Sequence, residues 1–255
     1  MSSPLVMAIV NVNGDSFHAA SRAATVRAFN RRVEKLVAGG ADIIDVGAVS
    51  SRPGAEVVDA EQEWARLRPV LESWRKKDFG ASVRLSIDTF RPQVVQRAFD
   101  VVGDFLVNDI SAGCWDGAML PTVSSMGLEY VAMHLRGDFS TMHEQWCYGD
   151  VVAEVKEFFS LFALRAADAG IERWILDPGF GFSKSMEDNM MLMDSLAEFK
   201  AFGRPILVGV SRKRMARPRP GMTDEEIERE TAALHRRAVA GGADILRVHD
   251  VPLLI

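Results

Sequence analysis

The chain has 255 residues, of which 48% are apolar and 25% charged, and its mean hydropathy is +0.02. This composition can form a hydrophobic core and excludes a disordered chain, while the length permits one or two domains. The formal net charge of −5 and the pI near 5.6 disfavour a non-specific nucleic-acid binder, which needs a net basic field. Cys114 and Cys147 are too few for a disulfide framework.

No apolar stretch is long enough to cross a bilayer, and the first residues lack the basic and apolar segments of a secretory leader. The sequence therefore predicts a soluble, cytoplasmic protein without a nucleic-acid or membrane partner.

Eight short apolar runs are predicted as β-strands. They begin near residues 6, 42, 84, 105, 130, 174, 205 and 245. Their apolar residues are continuous rather than alternating, which is typical of parallel strands covered on both faces. A glycine precedes most of them and can close the preceding helix in a left-handed conformation. Their spacing is close to the roughly 30 residues of one βαβ unit.

Amphipathic stretches between these runs predict helices, the clearest at 25–38, 59–75, 151–167 and 224–240. A sequence repeat supports the same organisation, because residues 38–47 and 240–249 share seven of ten identities. Strands alternating with helices and no linker predict an α/β fold, a single-domain (β/α)8 TIM barrel over residues 1–255. Only residues 251–255 follow the eighth strand, so most of the eighth helix is expected to be absent.

Every predicted strand ends in polar residues, and these are Asn11, Asp45, Asp88, Asn108 with Asp109, His134, Asp177, Ser211 and His249. The active sites of such barrels lie at the carboxyl ends of the strands, where the following loops meet. The pattern therefore predicts a functional site there, rather than a rim that is merely polar. No Ser-His-Asp order and no activated cysteine is found, which argues against covalent acyl chemistry.

Arg247 lies within the eighth strand, two residues before His249, and side chains two apart share a face. A buried arginine without a partner is costly, so an anion is expected beside it. An ion pair with Asp45 or another acid of the rim is the alternative, and the sequence leaves it open. Arg52 lies in a predicted loop that combines serines, an arginine and a Pro-Gly turn, and such a loop is suited to binding an anion.

The chain resembles the dihydropteroate synthases of the pterin-binding TIM-barrel superfamily. The similar segments are 7–17, 45–55, 86–89, 108–110, 133–137, 177–182, 211–213 and 247–250, and they occur in family order. The resemblance implies a transferase of folate biosynthesis. Such an enzyme condenses 6-hydroxymethyl-7,8-dihydropterin pyrophosphate with p-aminobenzoate to give 7,8-dihydropteroate and pyrophosphate.

The resemblance also implies roles for single residues. The pterin is expected at Asp88, Asn108, Met133, Asp177 and Lys213. The p-aminobenzoate is expected at Ser51, Arg52, Pro53, Phe182 and Ser211, and the pyrophosphate at Asn11, Arg52, Arg247 and His249. Asn11 is expected to bind Mg²⁺ together with phosphate oxygens. The residues expected to be catalytic are Asn11, Arg52, Lys213, Arg247 and His249.

Two departures from the family pattern affect loops. Asn13-Gly14 replaces the usual Thr-Pro, and Arg214 replaces the small hydroxyl residue after Ser-Arg-Lys. Two alternatives therefore remain, a methyltetrahydrofolate-dependent methyltransferase on the same barrel and a non-catalytic pterin-binding paralogue. The methyltransferase has no pyrophosphate to hold, and four residues therefore argue against it: Arg52, Lys213, Arg247 and His249. A homodimer is expected to cover the flank left by the missing helix.

Overall fold

The computed structural model describes residues 3–12, 19–49, 58–144 and 146–251, the side chains of 19–24 excepted. Its strands are β1 Leu5–Asn11, β2 Ile43–Gly47, β3 Arg84–Asp88, β4 Leu106–Asp109, β5 Glu129–Met133, β6 Trp174–Asp177, β7 Leu207–Val208 and β8 Ile245–Val248. Its α-helices, within those ranges, are α1 Ala19–Ala38, α2 Ala60–Lys77, α3 Pro92–Val102, α4 Met119–Ser125, α5 Val151–Ala169, α6 Met186–Asp194 and α7 Asp224–Ala240. Short 3₁₀ segments span Phe79–Ala81, Leu196–Phe202 and Arg214–Ala216.

The strands form one parallel sheet in the order β6-β5-β4-β3-β2-β1-β8-β7. A parallel bridge between Leu176 and Ile206 joins the two ends of this sheet, so the strands close into a barrel. The predicted (β/α)8 TIM barrel is thereby confirmed. The β7 ladder is short, with only Leu207 and Val208 assigned to the strand.

The interior of the barrel is filled by one apolar layer below its carboxyl end. Seven strands contribute one fully or almost fully buried side chain each, and these are Met7, Ile43, Leu106, Val131, Ile175, Leu207 and Ile245. A second, larger apolar core lies between the strands and the surrounding helices. This layer separates the polar side chains of the carboxyl-terminal mouth from the Arg84–Glu129 ion pair at the amino-terminal end.

Local signals in the sequence set the helix boundaries. Capping boxes at Asp59, Ser185 and Thr223 satisfy the first N–H groups of α2, α6 and α7. Gly170 closes α5 in a left-handed conformation with φ of 78°.

The predicted element positions agree with these boundaries. The predicted strand starts lie within two residues of those observed, and α7 spans the predicted 224–240. Helix α1 begins six residues before the predicted 25. No helix follows β8 in the described residues, which end at Val251.

Candidate active site

Asp45 is the centre of a polar network at the carboxyl end of the barrel. Its carboxylate is fully buried and accepts hydrogen bonds from Ser86 Oγ at 2.6 Å and from Asn108 Nδ2 at 3.1 Å. Arg247 Nε donates a third bond to Asp45 Oδ2 at 2.7 Å. Side chains from β2, β3, β4 and β8 thus meet on one carboxylate, because their strands place alternate residues inward.

Arg247 also joins this network to Asp88 at the end of β3. Its Nη2 lies 2.7 Å from Asp88 Oδ2, so the guanidinium bridges two carboxylates. The pKa of Asp88 is raised to about 7, mainly by burial; Arg247 opposes this rise, and the carboxylates of Asp45 and Glu63 add to it. The alternative interpretation of Arg247, an ion pair with acids of the rim, is confirmed. Its contact with an anionic substrate stays a prediction.

The loop after β6 brings a second carboxylate to the mouth. Asp177 is buried, and its Oδ1 accepts a hydrogen bond of 2.8 Å from the backbone N–H of Gly179. Burial raises the pKa of Asp177, while the Lys213 ammonium is the main opposing influence. Gly179 has φ of +71°, and a Cβ there would lie 1.8 Å from the carbonyl oxygen of His134. The turn therefore requires glycine at this position.

Lys213 is positioned by the same loop. Its Nζ donates to the carbonyl oxygen of Phe180 at 2.6 Å and lies 4.5 Å from the centroid of the Phe182 ring. Burial lowers its pKa to about 8, with Asp177 acting in the opposite direction. Phe182 packs with Met133 in one apolar cluster that also contains Ile110 and Met142. The predicted pterin residues Met133 and Lys213 and the predicted p-aminobenzoate residue Phe182 are therefore neighbours.

Three other predicted residues lie at the same end of the barrel. Ser211 Oγ is 3.2 Å from His249 Nδ1 and accepts a hydrogen bond of 3.3 Å from the backbone N–H of His249. Asn11 is exposed at the last position of β1, where it pairs with Gly47 of β2. Ser51, Arg52 and Pro53 lie outside the described residues, as do Asn13 and Gly14.

The strand-end pattern was wrong for two residues, Asp109 and His134, which face the helices rather than the mouth. Asp109 accepts a hydrogen bond of 2.5 Å from the hydroxyl of Tyr130, and His134 packs edge-on against Phe158 of α5 at 4.9 Å between ring centroids. The physical reason is strand alternation, since Asn108 and Met133 take the inward positions immediately before them.

Lys184 is a buried cation that the sequence analysis missed. Its Nζ donates to the carbonyl oxygens of His134 at 3.3 Å, Gly179 at 3.1 Å and Phe182 at 3.2 Å. Burial lowers its pKa to about 7. The sequence did contain a signal, since Lys184 closely follows Phe180 and Phe182 in the loop after β6. A cation in such apolar surroundings needs hydrogen-bond acceptors.

Three further observations concern metal binding, membrane spans and a surface cavity in the described part of the chain. Among the described residues, no group of three or more His, Cys, Asp or Glu side chains is arranged to hold a metal ion. Within the same ranges, no helix combines the length and the apolar character that crossing a membrane requires. Arg214 is exposed and lines a surface cavity of about 550 Å³ together with Met186, Arg217 and Ile227.

Comparison with known proteins places this arrangement in a family. The family model described as "Pterin binding enzyme" matches residues 7–249. The dihydropteroate synthase of Synechocystis sp. is 38% identical over 252 residues, which cover 96% of this chain and 85% of that protein.

Two structures from Xanthomonas albilineans are also similar. Its dihydropteroate synthase with 4-aminobenzoic acid has a TM-score of 0.83 and 38% identity, covering 97% of this chain and 88% of that chain. The same enzyme in complex with 7,8-dihydropteroate has a TM-score of 0.79 and 35% identity, with the same coverage. With its closed barrel and its acidic, cation-lined mouth, the chain belongs to the dihydropteroate synthase family of pterin-binding enzymes.

Proposed function

We propose that the chain condenses 6-hydroxymethyl-7,8-dihydropterin pyrophosphate with p-aminobenzoate. The C–O bond to the diphosphate breaks, the diphosphate leaves with its electron pair, and the amine nitrogen forms the new C–N bond and loses a proton. The products are 7,8-dihydropteroate and pyrophosphate. One observation carries the proposal, namely that acids and cations converge at a single barrel mouth around Asp45 and Arg247.

The acidic half of the mouth suits the pterin. A carboxylate accepts two N–H bonds from a 2-amino-pyrimidinone edge, and a lysine donates to the ring carbonyl. Asp177 and Asp88 are the carboxylates we assign to this role, with Asn108 and Lys213 beside them. Met133 supplies apolar surface next to the flat ring.

The cationic half suits the diphosphate and the arylamine. We assign Arg247, His249 and Asn11 to the diphosphate, together with Arg52 from the sequence between β2 and α2. Phe182 and Ser211 are assigned to p-aminobenzoate, with Ser51 and Pro53. Loss of diphosphate leaves positive charge on the pterin methylene carbon, which nearby carboxylates stabilise. Catalysis is then electrostatic stabilisation and positioning, without a covalent enzyme intermediate.

The described residues fit Mg²⁺ as an ion that is shared with the substrate. Asn11 offers one exposed oxygen at the mouth, and no larger metal-ligating group exists in the described ranges. Asn11 would hold the ion together with phosphate oxygens and water, and the ion would neutralise charge on the leaving diphosphate. We expect EDTA to lower turnover and added Mg²⁺ to restore it. Full activity in EDTA would contradict this assignment.

A coupled assay of pyrophosphate release, with and without p-aminobenzoate, tests the function. We expect release only when the amine is present. Pterin binding without amine-dependent release would instead support the non-catalytic paralogue, and methyl transfer from methyltetrahydrofolate would support the methyltransferase.

A homodimer in the cytoplasm completes the proposal. Leu161 and Leu164 on α5 are 57% and 69% exposed, which is unusual for leucine and favours contact with a second copy. Light scattering at micromolar concentration tests this part, and a monomer mass would contradict it.

A further inference from the structure

Three charged side chains form a cluster beside the mouth, and we call them the Asp250 clamp: Arg32 on α1, Arg212 after β7, and Asp250 after β8. Asp250 Oδ1 accepts a hydrogen bond of 2.8 Å from Arg32, and its Oδ2 accepts one of 2.8 Å from Arg212. The Arg32 guanidinium also donates to the carbonyl oxygen of His249. Arg212 is additionally 3.6 Å from Glu228 on α7. The clamp thus ties together three segments that are distant in sequence.

The backbone of Arg212 adopts a conformation that its side chain disfavours. Its φ is +57°, in the left-handed region that non-glycine residues rarely adopt. The tight turn around it is closed by a hydrogen bond of 3.2 Å from the N–H of Lys213 to the carbonyl oxygen of Val210. A strained turn persists only where surrounding interactions hold it, and the ion pair with Asp250 is such an interaction.

This turn carries two of the residues assigned to the active site. Arg212 lies directly between Ser211 and Lys213, so its backbone angles set the direction of both neighbours. Ser211 is hydrogen-bonded to His249, and Lys213 lies over the Phe182 ring. Relaxation of Arg212 toward negative φ would therefore move Ser211 and Lys213 away from these contacts.

We propose that Asp250 is a positioning residue of the active site. By pairing with Arg212 it holds the left-handed turn, and by pairing with Arg32 it fixes its own position after His249. Asp250 follows His249 directly in the chain and their charges interact, and its hydrogen bond to Arg212 is the contact through which it holds the turn. The proposal rests on the proposed function only for the identity of the substrates whose binding it affects.

The first test compares Asp250→Asn with the wild-type protein. Loss of two partly exposed ion pairs predicts a decrease of about three- to tenfold in kcat/KM for p-aminobenzoate. It also predicts faster hydrogen exchange of the Lys213 amide, measured without substrate. Asp250→Glu keeps the carboxylate and should recover most of both effects. Glu72→Gln removes an exposed ion pair with Arg68 on α2 and serves as the matched control.

The second test uses glycine to remove the strain. In Arg212→Gly, a glycine at position 212 adopts the left-handed conformation without penalty. Asp250 is then no longer needed to hold the turn. We expect Asp250→Asn to change kcat/KM less than about twofold in the Arg212→Gly background, far below its effect in the wild type. Equal losses in both backgrounds, or unchanged exchange at Lys213, would overturn the proposal.

The two tests separate failure of this inference from failure of the proposed function. If the wild-type protein shows no amine-dependent pyrophosphate release, the proposed function fails, while the exchange measurement still tests the clamp. If Asp250→Asn does not fold, Arg32→Met removes one of the two ion pairs and gives a milder version of the same experiment.

Discussion

Replacement of Arg247 by methionine tests the charge balance of the barrel mouth. The side chains of Arg247 and Asp88 are only 20% and 22% exposed, and that of Asp45 is fully buried. Methionine keeps the aliphatic part and leaves two carboxylates without their cation. Breaking a buried pair in this way costs about 3–5 kcal/mol, and the partial opening of the mouth favours the lower end.

The loss should depend on pH, because the carboxylates can take up protons. The pKa of Asp88 is raised to about 7, so in the wild type its contribution to stability falls as pH rises from about 3.8 to 7. Without Arg247 this pKa rises further, and the decline extends to higher pH. We therefore expect Arg247→Met to lower the free energy of unfolding by about 3 kcal/mol at pH 8.5. At pH 6 this decrease should be smaller by at least about 1 kcal/mol.

Urea unfolding at both pH values measures these differences. Arg68→Met is the control, since its ion pair with Glu72 is exposed on both sides, at 61% and 52%, and the expected loss is below about 1 kcal/mol. Adding Asp45→Asn to Arg247→Met should restore part of the stability by removing one uncompensated charge. A loss under about 1 kcal/mol at pH 8.5, or equal losses at the two pH values, would refute the reasoning.

Three further predictions concern the loop after β6. Asp177→Asn should weaken pterin binding about tenfold or more by calorimetry, because a charged acceptor is lost, and unchanged affinity would remove Asp177 from the pterin site. The lowered pKa of Lys184 predicts that the free energy of unfolding rises between pH 7 and 10.5. Lys184→Met should lower Tm and flatten this rise. An unchanged slope of stability against pH would contradict the burial of Lys184. Gly179→Ala should lower Tm far more than Gly103→Ala. Both glycines have positive φ, but of the two only Gly179 lies where a Cβ would collide with a carbonyl oxygen. Equal decreases in Tm would argue against that clash.

The barrel was predictable because its signals are local. Each strand is a continuous apolar run, and glycines such as Gly170 mark the helix ends before them. Asp59, Ser185 and Thr223 mark helix starts through side-chain bonds to nearby backbone. Such features need no knowledge of distant contacts. The two-residue length of β7 was not predicted.

The site was predictable only in part, because its details depend on contacts between distant segments. Whether Asp109 and His134 face the mouth or the helices depends on which residues of each strand alternate inward. Their polar character alone does not reveal this. The pairing of Arg247 with Asp45 joins residues 202 positions apart, so the sequence could only leave it as one of two options. Lys184 has three carbonyl partners that exist only once the loop has folded.

The position of β8 has a consequence for how the chain folds during synthesis. This strand pairs with β1 on one side and β7 on the other, so the ring has a gap until residues 245–248 leave the ribosome. Until then β1 exposes an unpaired edge, and the Asp45 carboxylate lacks Arg247. At about 5–20 residues per second, the nascent chain spends many seconds in this open form. Chaperones should therefore bind more strongly to chains that stop before residue 245 than to chains in which β8 is present and free to pair.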